Sequence, residues 1–296
     1  MVRPLRASLL KLSLRFFSLL PLRVAHAAGA LIGGWAALSS NKLRHITRIN
    51  VDLCFPEWDE RDRARLVRRS LVETGKTFTE TGALWLRDKS RVLSLITQVS
   101  GEHLVKDALA QGKGMILAVP HLGAWEAVGL YCSAHYPITS LYRPPRMREL
   151  DGMIRQARQR LGATLVPTDA GGIRALYKAL EKGEMMGVLP DQEPSAGNGI
   201  FAPFFGVPAC TMVLLSRLAM KTKAPVVLAY AERLPHGAGY HLHFLPTPRA
   251  INEGPLEESV RCLNTAVEEC VRALPEQYQW SYKRFRTRPT GESPYQ

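Results

Sequence analysis

The sequence predicts an α/β fold: a mostly parallel central sheet flanked by helices, behind a helical, membrane-associated N-terminus. Three observations predict it. After Gly101, short apolar runs bounded by Gly and Pro alternate with helix-like stretches, the pattern of βαβ units with right-handed crossovers. From Glu60 to Leu86, Leu66, Val67, Leu71, Phe78 and Leu84 recur at helical spacing between charges. Before that, an apolar and basic segment carries no acid through residue 50. With 296 residues, 46% apolar and 22% charged, the chain is globular, and disordered, collagen-like and coiled-coil classes are excluded.

Taken in order, the first segment is the most distinctive. Arg3, Arg6, Lys11, Arg15, Arg23, Lys42, Arg44 and Arg48 supply eight of the thirteen net positive charges. Leu9, Leu10, Leu12, Leu14, Phe16, Phe17, Leu19 and Leu20 are interleaved with them, followed by the apolar run Val24 to Leu38. That run is shorter than the ~20 residues a spanning helix needs, and extending it back to Phe16 takes in Pro21 and Arg23. The segment reads first as a helix lying on an anionic membrane face and second as a single tilted span. A cleaved signal, suggested by Ala25 to Ala27, sits poorly with Arg15, Pro21 and Arg23; an ordinary buried helix is the remaining alternative. Residues 1–40 are therefore expected to anchor the chain to a membrane and 41–296 to form the main domain.

From residue 102 the expected elements are a helix up to Gly112, a buried strand in Gly114–Pro120, a helix over 124–136, and a strand over 138–142. A helix over 148–162, a strand over 163–167, a helix over 172–183 and a strand ending at Pro190 follow. Asp191 to Cys210 has no periodicity and reads as a long loop, which inside a compact domain points to function. Strands over 224–230 and 240–246 and a helix from about Pro255 to Leu274 complete the chain. Cys54, Cys132, Cys210, Cys262 and Cys270 are odd in number and lack a CxxC pair, which fits reduced core positions.

Nucleophile-elbow, phosphate-loop, dinucleotide and zinc-protease motifs are all missing. His241 and His243 fall on one side of a strand, but no third metal ligand is near them in sequence, so they read as a half-exposed strand surface. No metal site and no cofactor are expected. His121, at the carboxyl end of its strand, stands where open α/β sheets bind ligands. Glu126 can reach it only if His121 lies in the turn and Glu126 in the first helical turn, with Gly123 as the joint. A carboxylate on one ring nitrogen would make the other a general base; the plainer alternative is a strand-end hydrogen bonder beside a carboxylate that complements the helix dipole. Arg143, Arg146, Arg148, Arg155, Arg158 and Arg160 form a basic segment suited to phosphate oxygens, or else a solvated face. No stacking aromatics are interleaved with them, so nucleic acid is disfavoured as a partner. Phe204 and Phe205 read as a lid on the core.

Taken together, HLGAWE, the YRP stretch with its arginines, VLPDQEP, the FFGxPxxT block and PEQYQWSYKRFRTRP resemble the lysophospholipid acyltransferase superfamily, and within it the lipid A secondary acyltransferases. The likeness runs from about Pro21 to Pro289. It implies an acyltransferase-like α/β fold and transfer of a fatty acyl chain from acyl carrier protein to a hydroxyl of a lipid A precursor. The implied place is the cytoplasmic face of the inner membrane. It further implies His121 as base, Glu126 as charge-relay acid, and Arg143, Arg158, Asp191 and Gln192 as substrate contacts. Glu126 stands where glycerolipid relatives use Asp, and Asp191–Gln192 replaces their Glu-Gly, which argues against a glycerol phosphate acceptor. Acylation of another membrane lipid and a non-catalytic lipid-binding role are the alternatives.

Overall fold

In the computed structural model, which describes residues 2–145 and 147–296, the N-terminal segment is two helices and not one. Pro21 divides α1 (Val2–Leu19) from α2 (Leu22–Leu38). Met1 and Arg146, the latter counted in the basic segment, lie outside the described residues. Among the described residues no helix is long and apolar enough to cross a membrane. Two further helices follow: α3 (Lys42–Cys54), capped by Asn41, and α4 (Glu60–Leu86), capped by Asp59.

Both leading helices are packed against α4. Ala7, Leu14 and Phe17 of α1 are buried, while Leu5, Leu9, Leu12, Phe16 and Leu19, spaced by three or four residues, form an exposed stripe. On α2, Val24, Leu31, Trp35 and Leu38 are exposed in the same way. The opposite face of α2 meets α4 backbone to backbone: a Cβ at Gly29 would lie 2.6 Å from the Lys76 Cα, and one at Gly33 would enter the Leu71 carbonyl.

After α5 (Lys89–Leu93) come β1 (Ile96–Ser100), α6 (Glu102–Ala110), β2 (Met115–Ala118), α7 (Trp125–His135), β3 (Ile138–Tyr142), α8 (Asp151–Gln159), β4 (Thr164–Pro167), α9 (Ala170–Glu181) and β5 (Met185–Val188). The last third holds β6 (Gly199–Phe204), β7 (Val207–Met212), α10 (Leu214–Thr222), β8 (Val226–Arg233), β9 (Tyr240–Pro246), α11 (Ala250–Glu253) and α12 (Leu256–Ala273). Seven strands make one sheet in the order β1-β9-β8-β2-β5-β3-β4, parallel except for the β8–β9 pair. Central β2 and β5 are buried throughout, which is why they read as continuous apolar runs.

The expected 191–210 loop is corrected: half of it is the antiparallel β6–β7 hairpin, which continues to Met212. Its two turn residues, Phe205 and Gly206, have φ of +53° and +73°, the conformation that matches strand twist in a two-residue hairpin. β1 was not expected either. The sheet separates two apolar cores: α9, α10 and α12 pack on one face with Ile116 and Ala118 of β2, while α6 and α7 pack on the other with Met115 and Leu117.

An ionic knot joins the N-terminal helices to the sheet. The Arg233 guanidinium of β8 forks onto Glu80 of α4 at 2.7 and 2.8 Å and also donates to Glu73 at 2.8 Å. His26 of α2 and the Tyr240 hydroxyl of β9 complete the shell around Glu80, at 2.9 and 3.0 Å. Burial alone would raise the Glu80 pKa, but the Arg233 charge and hydrogen bonds, with His26, bring it down to about 2.

Candidate active site

From β2 the chain leaves towards β3, and from β5 it leaves the opposite way, towards β8, so a crevice opens beyond the carboxyl ends of these two neighbours. The β2–β5 register pairs Ala118 with Val188. His121 and Asp191 each lie three residues past that pair (118 to 121, 188 to 191), after Pro120 and Pro190. Parallel pairing thus carries two chemically active side chains to one point. Asp191 Oδ2 accepts from the His121 backbone N–H and Oδ1 from the ring Nδ1, both at 2.8 Å.

Gly123 completes the turn. Its φ is +61°, and a Cβ there would run into the Ala231 carbonyl, so only glycine lets the chain cross β8 so closely before α7 starts. The Gly123 N–H donates to the Gln277 carbonyl and the Gln279 N–H donates to the His121 carbonyl, at 3.0 Å each. The C-terminal PEQYQW stretch therefore grips the histidine turn from outside the sheet.

With Nδ1 given to a carboxylate, Nε2 is the lone-pair nitrogen, and it accepts from the Gln192 carboxamide at 3.1 Å. That carboxamide also donates to Gln279 Oε1 at 3.0 Å. Burial alone would raise the Asp191 pKa; the His121 charge, the two hydrogen bonds from His121 and the more distant Arg284 bring it below the usual carboxylate range. The pair is built as an imidazole oriented by a buried carboxylate, with its second nitrogen turned to the Gln192 carboxamide.

Glu126 does sit in the first turn of α7 with His121 in the turn before it, as expected. The carboxylate that touches the imidazole, however, is Asp191. Glu126 is instead taken by Arg158 of α8, whose Nε donates to Oε2 at 3.1 Å and whose Nη2 donates to Oε1. A bidentate fork holds both groups in one plane, and no hydrogen bond joins Glu126 to the ring. Burial would raise the Glu126 pKa, but Arg158 first, then Trp85 and the nearby His121, lower it. Arg158 is raised in turn by the Glu126 charge.

The remaining expected residues separate. Arg143 is exposed on the segment after β3. Arg160 is used structurally, donating to the Leu84 and Arg87 carbonyls. Phe204 and Phe205 are buried against Phe55, Tyr278 and Trp280, as a lid on the core would be. Thr211 is buried and bonded to Arg284 and Asn264. Sequence reasoning missed Gln279; the only local signal for it was its place in the closing motif.

Near this pair an apolar cleft with an enclosed volume of about 80 Å³ lies between α7 and one face of β2, β5, β3 and β4. Leu117, Leu130, Ile138 and Leu165 line it, Glu126 and Arg158 stand at its wall, and Trp125 lies between it and His121, with ring centroids 5.1 Å apart. An oriented imidazole one aromatic ring away from an apolar cleft suits a substrate with a reactive polar end and a hydrocarbon tail.

A sequence model of the family described as bacterial lipid A biosynthesis acyltransferase matches residues 3–287. The chain is 30% identical over 285 residues to a lipid A biosynthesis acyltransferase of Haemophilus influenzae, covering 95% of this chain and 88% of the relative. It is 30% identical over 273 residues to a lipid A biosynthesis lauroyltransferase of Escherichia coli, covering 92% and 88%. To the palmitoleoyltransferase of the same pathway in Escherichia coli it is 29% identical over 280 residues, covering 93% and 89%.

Proposed function

The chain belongs to the bacterial lipid A biosynthesis acyltransferase family, and from that premise we propose that it moves a fatty acyl chain from an acyl carrier protein thioester to a hydroxyl of a lipid A precursor. The observation that carries the reading is the His121–Asp191 pair, whose ring lies 5.1 Å from Trp125, a residue of the apolar cleft wall. Nε2 takes the proton of the acceptor hydroxyl as that oxygen attacks the thioester carbonyl. The tetrahedral intermediate collapses to the new ester, and the departing thiolate recovers the proton from the imidazolium. Asp191 fixes the tautomer and stabilises the transient imidazolium.

Glu126 adds a second negative charge near the same ring, held by Arg158, so the imidazolium forms between two carboxylates. Gln192 yields its contact with Nε2 to the acceptor hydroxyl, and its N–H then faces the developing oxyanion. Arg143, exposed beyond β3, meets acceptor phosphate. No cofactor takes part. The exposed apolar stripes of α1 and α2, beside the exposed Arg6, Arg15 and Arg23, rest on the anionic cytoplasmic face of the inner membrane, where both acceptor and product reside. Residues 1–40 then serve as the anchor and 41–296 as the acyltransferase domain.

The test is transfer by purified protein from one acyl-carrier-protein donor to a lipid A precursor and, separately, to lysophospholipids. Acylation of the precursor alone is expected, and His121→Ala should slow it about 10²–10⁴-fold with unchanged circular dichroism. Near-normal turnover by that variant would overturn the assignment of the base; preference for the lysophospholipid would overturn the acceptor.

A further inference from the structure

On the antiparallel β8–β9 pair, Glu232 stands directly opposite His241, and Tyr230 opposite His243. Residues paired across strands point to one face, as do residues two apart along a strand, so all four share a face of the sheet. The imidazoles of His241 and His243 are 3.9 Å apart between centroids, and the Tyr230 ring stacks on His243 at 4.6 Å. One ligating atom from each of Glu232, His241 and His243 lies within 4.8 Å of the others, and all three side chains are partly open to solvent.

We propose that Glu232, His241 and His243 bind one divalent transition-metal cation of the zinc type. The His243 Nε2 and the Glu232 Oε2 are 3.1 Å apart. Two ligands bonded at about 2.0–2.1 Å in a tetrahedron are separated by roughly 3.3 Å, so these atoms already sit nearly as one edge of a coordination shell. His241 is held from behind: its Nε2 meets the Ser100 Oγ of β1 at 2.7 Å, which leaves Nδ1 as the coordinating atom. Metal-bound histidines are commonly oriented by such a contact on their other nitrogen.

Two imidazoles with one carboxylate select zinc-like cations over magnesium or calcium, whose shells are built from oxygen. The fourth position opens to solvent, and the cation would tie β8 and β9 together, with β1 linked through Ser100. Sequence spacing gave only the two histidines, because Glu232 joins them through strand pairing.

The site is tested on untagged full-length protein, stripped with a chelator and titrated calorimetrically with Zn²⁺. One saturable equivalent is expected, absent from the His241→Ala/His243→Ala double variant and weakened about 10–100-fold in Ser100→Ala. Acyl transfer by these variants should stay at the wild-type level, since none of the residues contacts the His121 crevice. The single His243→Gln variant serves if the double variant does not fold, and should lose the same equivalent. Equal Zn²⁺ uptake by wild type and variants, or no saturable uptake by wild type, would overturn the proposal.

Discussion

Two regions of this molecule bury a carboxylate against a nitrogen donor and put it to opposite uses. Beneath α2, Glu80 is closed on every side by Arg233, His26 and Tyr240. At the sheet end, Asp191 is as deeply buried, but the ring it holds is 13% exposed and offers its second nitrogen to the carboxamide of a neighbouring side chain. Burial of charge is common to both and therefore does not mark a site. What marks it is a member of the network left open to exchange partners, next to a space that a ligand can fill.

The sharpest way to break the comparison is to neutralise each carboxylate in turn. Glu80→Gln leaves Arg233, which is 1% exposed, facing an uncharged amide, and breaking a buried pair of this kind costs about 3–5 kcal/mol. A large fall in the urea midpoint is expected, with residual activity in whatever fraction stays folded. Asp191→Asn should weigh the other way: transfer falls about 10²–10⁴-fold because the imidazole loses its orienting charge, while the midpoint falls less than in Glu80→Gln. If both variants lose stability alike, or both keep activity, the two regions are not functionally distinct.

Acid sharpens the same contrast. The Glu80 pKa falls from an ordinary 4.5 to about 2 on folding, so the unfolded chain takes up its proton first. The resulting stabilisation is complete above about pH 4.5 and is lost as pH falls towards 2, a difference of roughly 3 kcal/mol. Asp191 and Glu126 are also lowered and add to the same slope. Unfolding curves recorded at pH 6, 4.5 and 3 should show the midpoint falling with pH, and falling less in Glu80→Gln. An equal slope in that variant would place the acid sensitivity elsewhere.

The same division between local and paired features explains what the sequence disclosed. The helices and strands from α6 to β5 are legible because each carries its own period and its own Gly or Pro boundary. β1 is not, since its mostly exposed Thr97–Ser100 becomes a strand only by pairing with β9, more than 140 residues on. The β6–β7 hairpin is hidden by a turn that places Phe205 at positive φ where Asn or Gly is the usual signal, and by prolines facing each other in its strands. His121 was legible from its position at a strand end. Its carboxylate was not, because Glu126 is near in sequence while Asp191 is near only through the β2–β5 register. A signal was nonetheless present: Val-Pro-His after one buried strand and Leu-Pro-Asp after another are the same phrase, and two parallel neighbours with matching endings bring their last residues together.

The smallest expected effect probes the space beside the open pair. Gly129 lies on α7 at the wall of the apolar cleft, and a Cβ added there meets nothing within 4 Å. Gly129→Leu would therefore place a branched side chain at the cleft wall without displacing backbone, and removing a mid-helix glycine favours folding by about 0.5–1 kcal/mol. Stability should hold or rise. If the donor's chain lies in this cleft, its depth sets which chain is accepted, and each excluded methylene shifts the choice by about 1–3 kcal/mol. Relatives of similar identity are named for lauroyl and palmitoleoyl groups, so overall likeness does not settle the chain and local volume must. Competing donors of different length, offered to Gly129→Leu and to the unaltered protein, should show a shift towards shorter chains. An unchanged preference would place the hydrocarbon outside this cleft while leaving the proposal for His121 and Asp191 untouched.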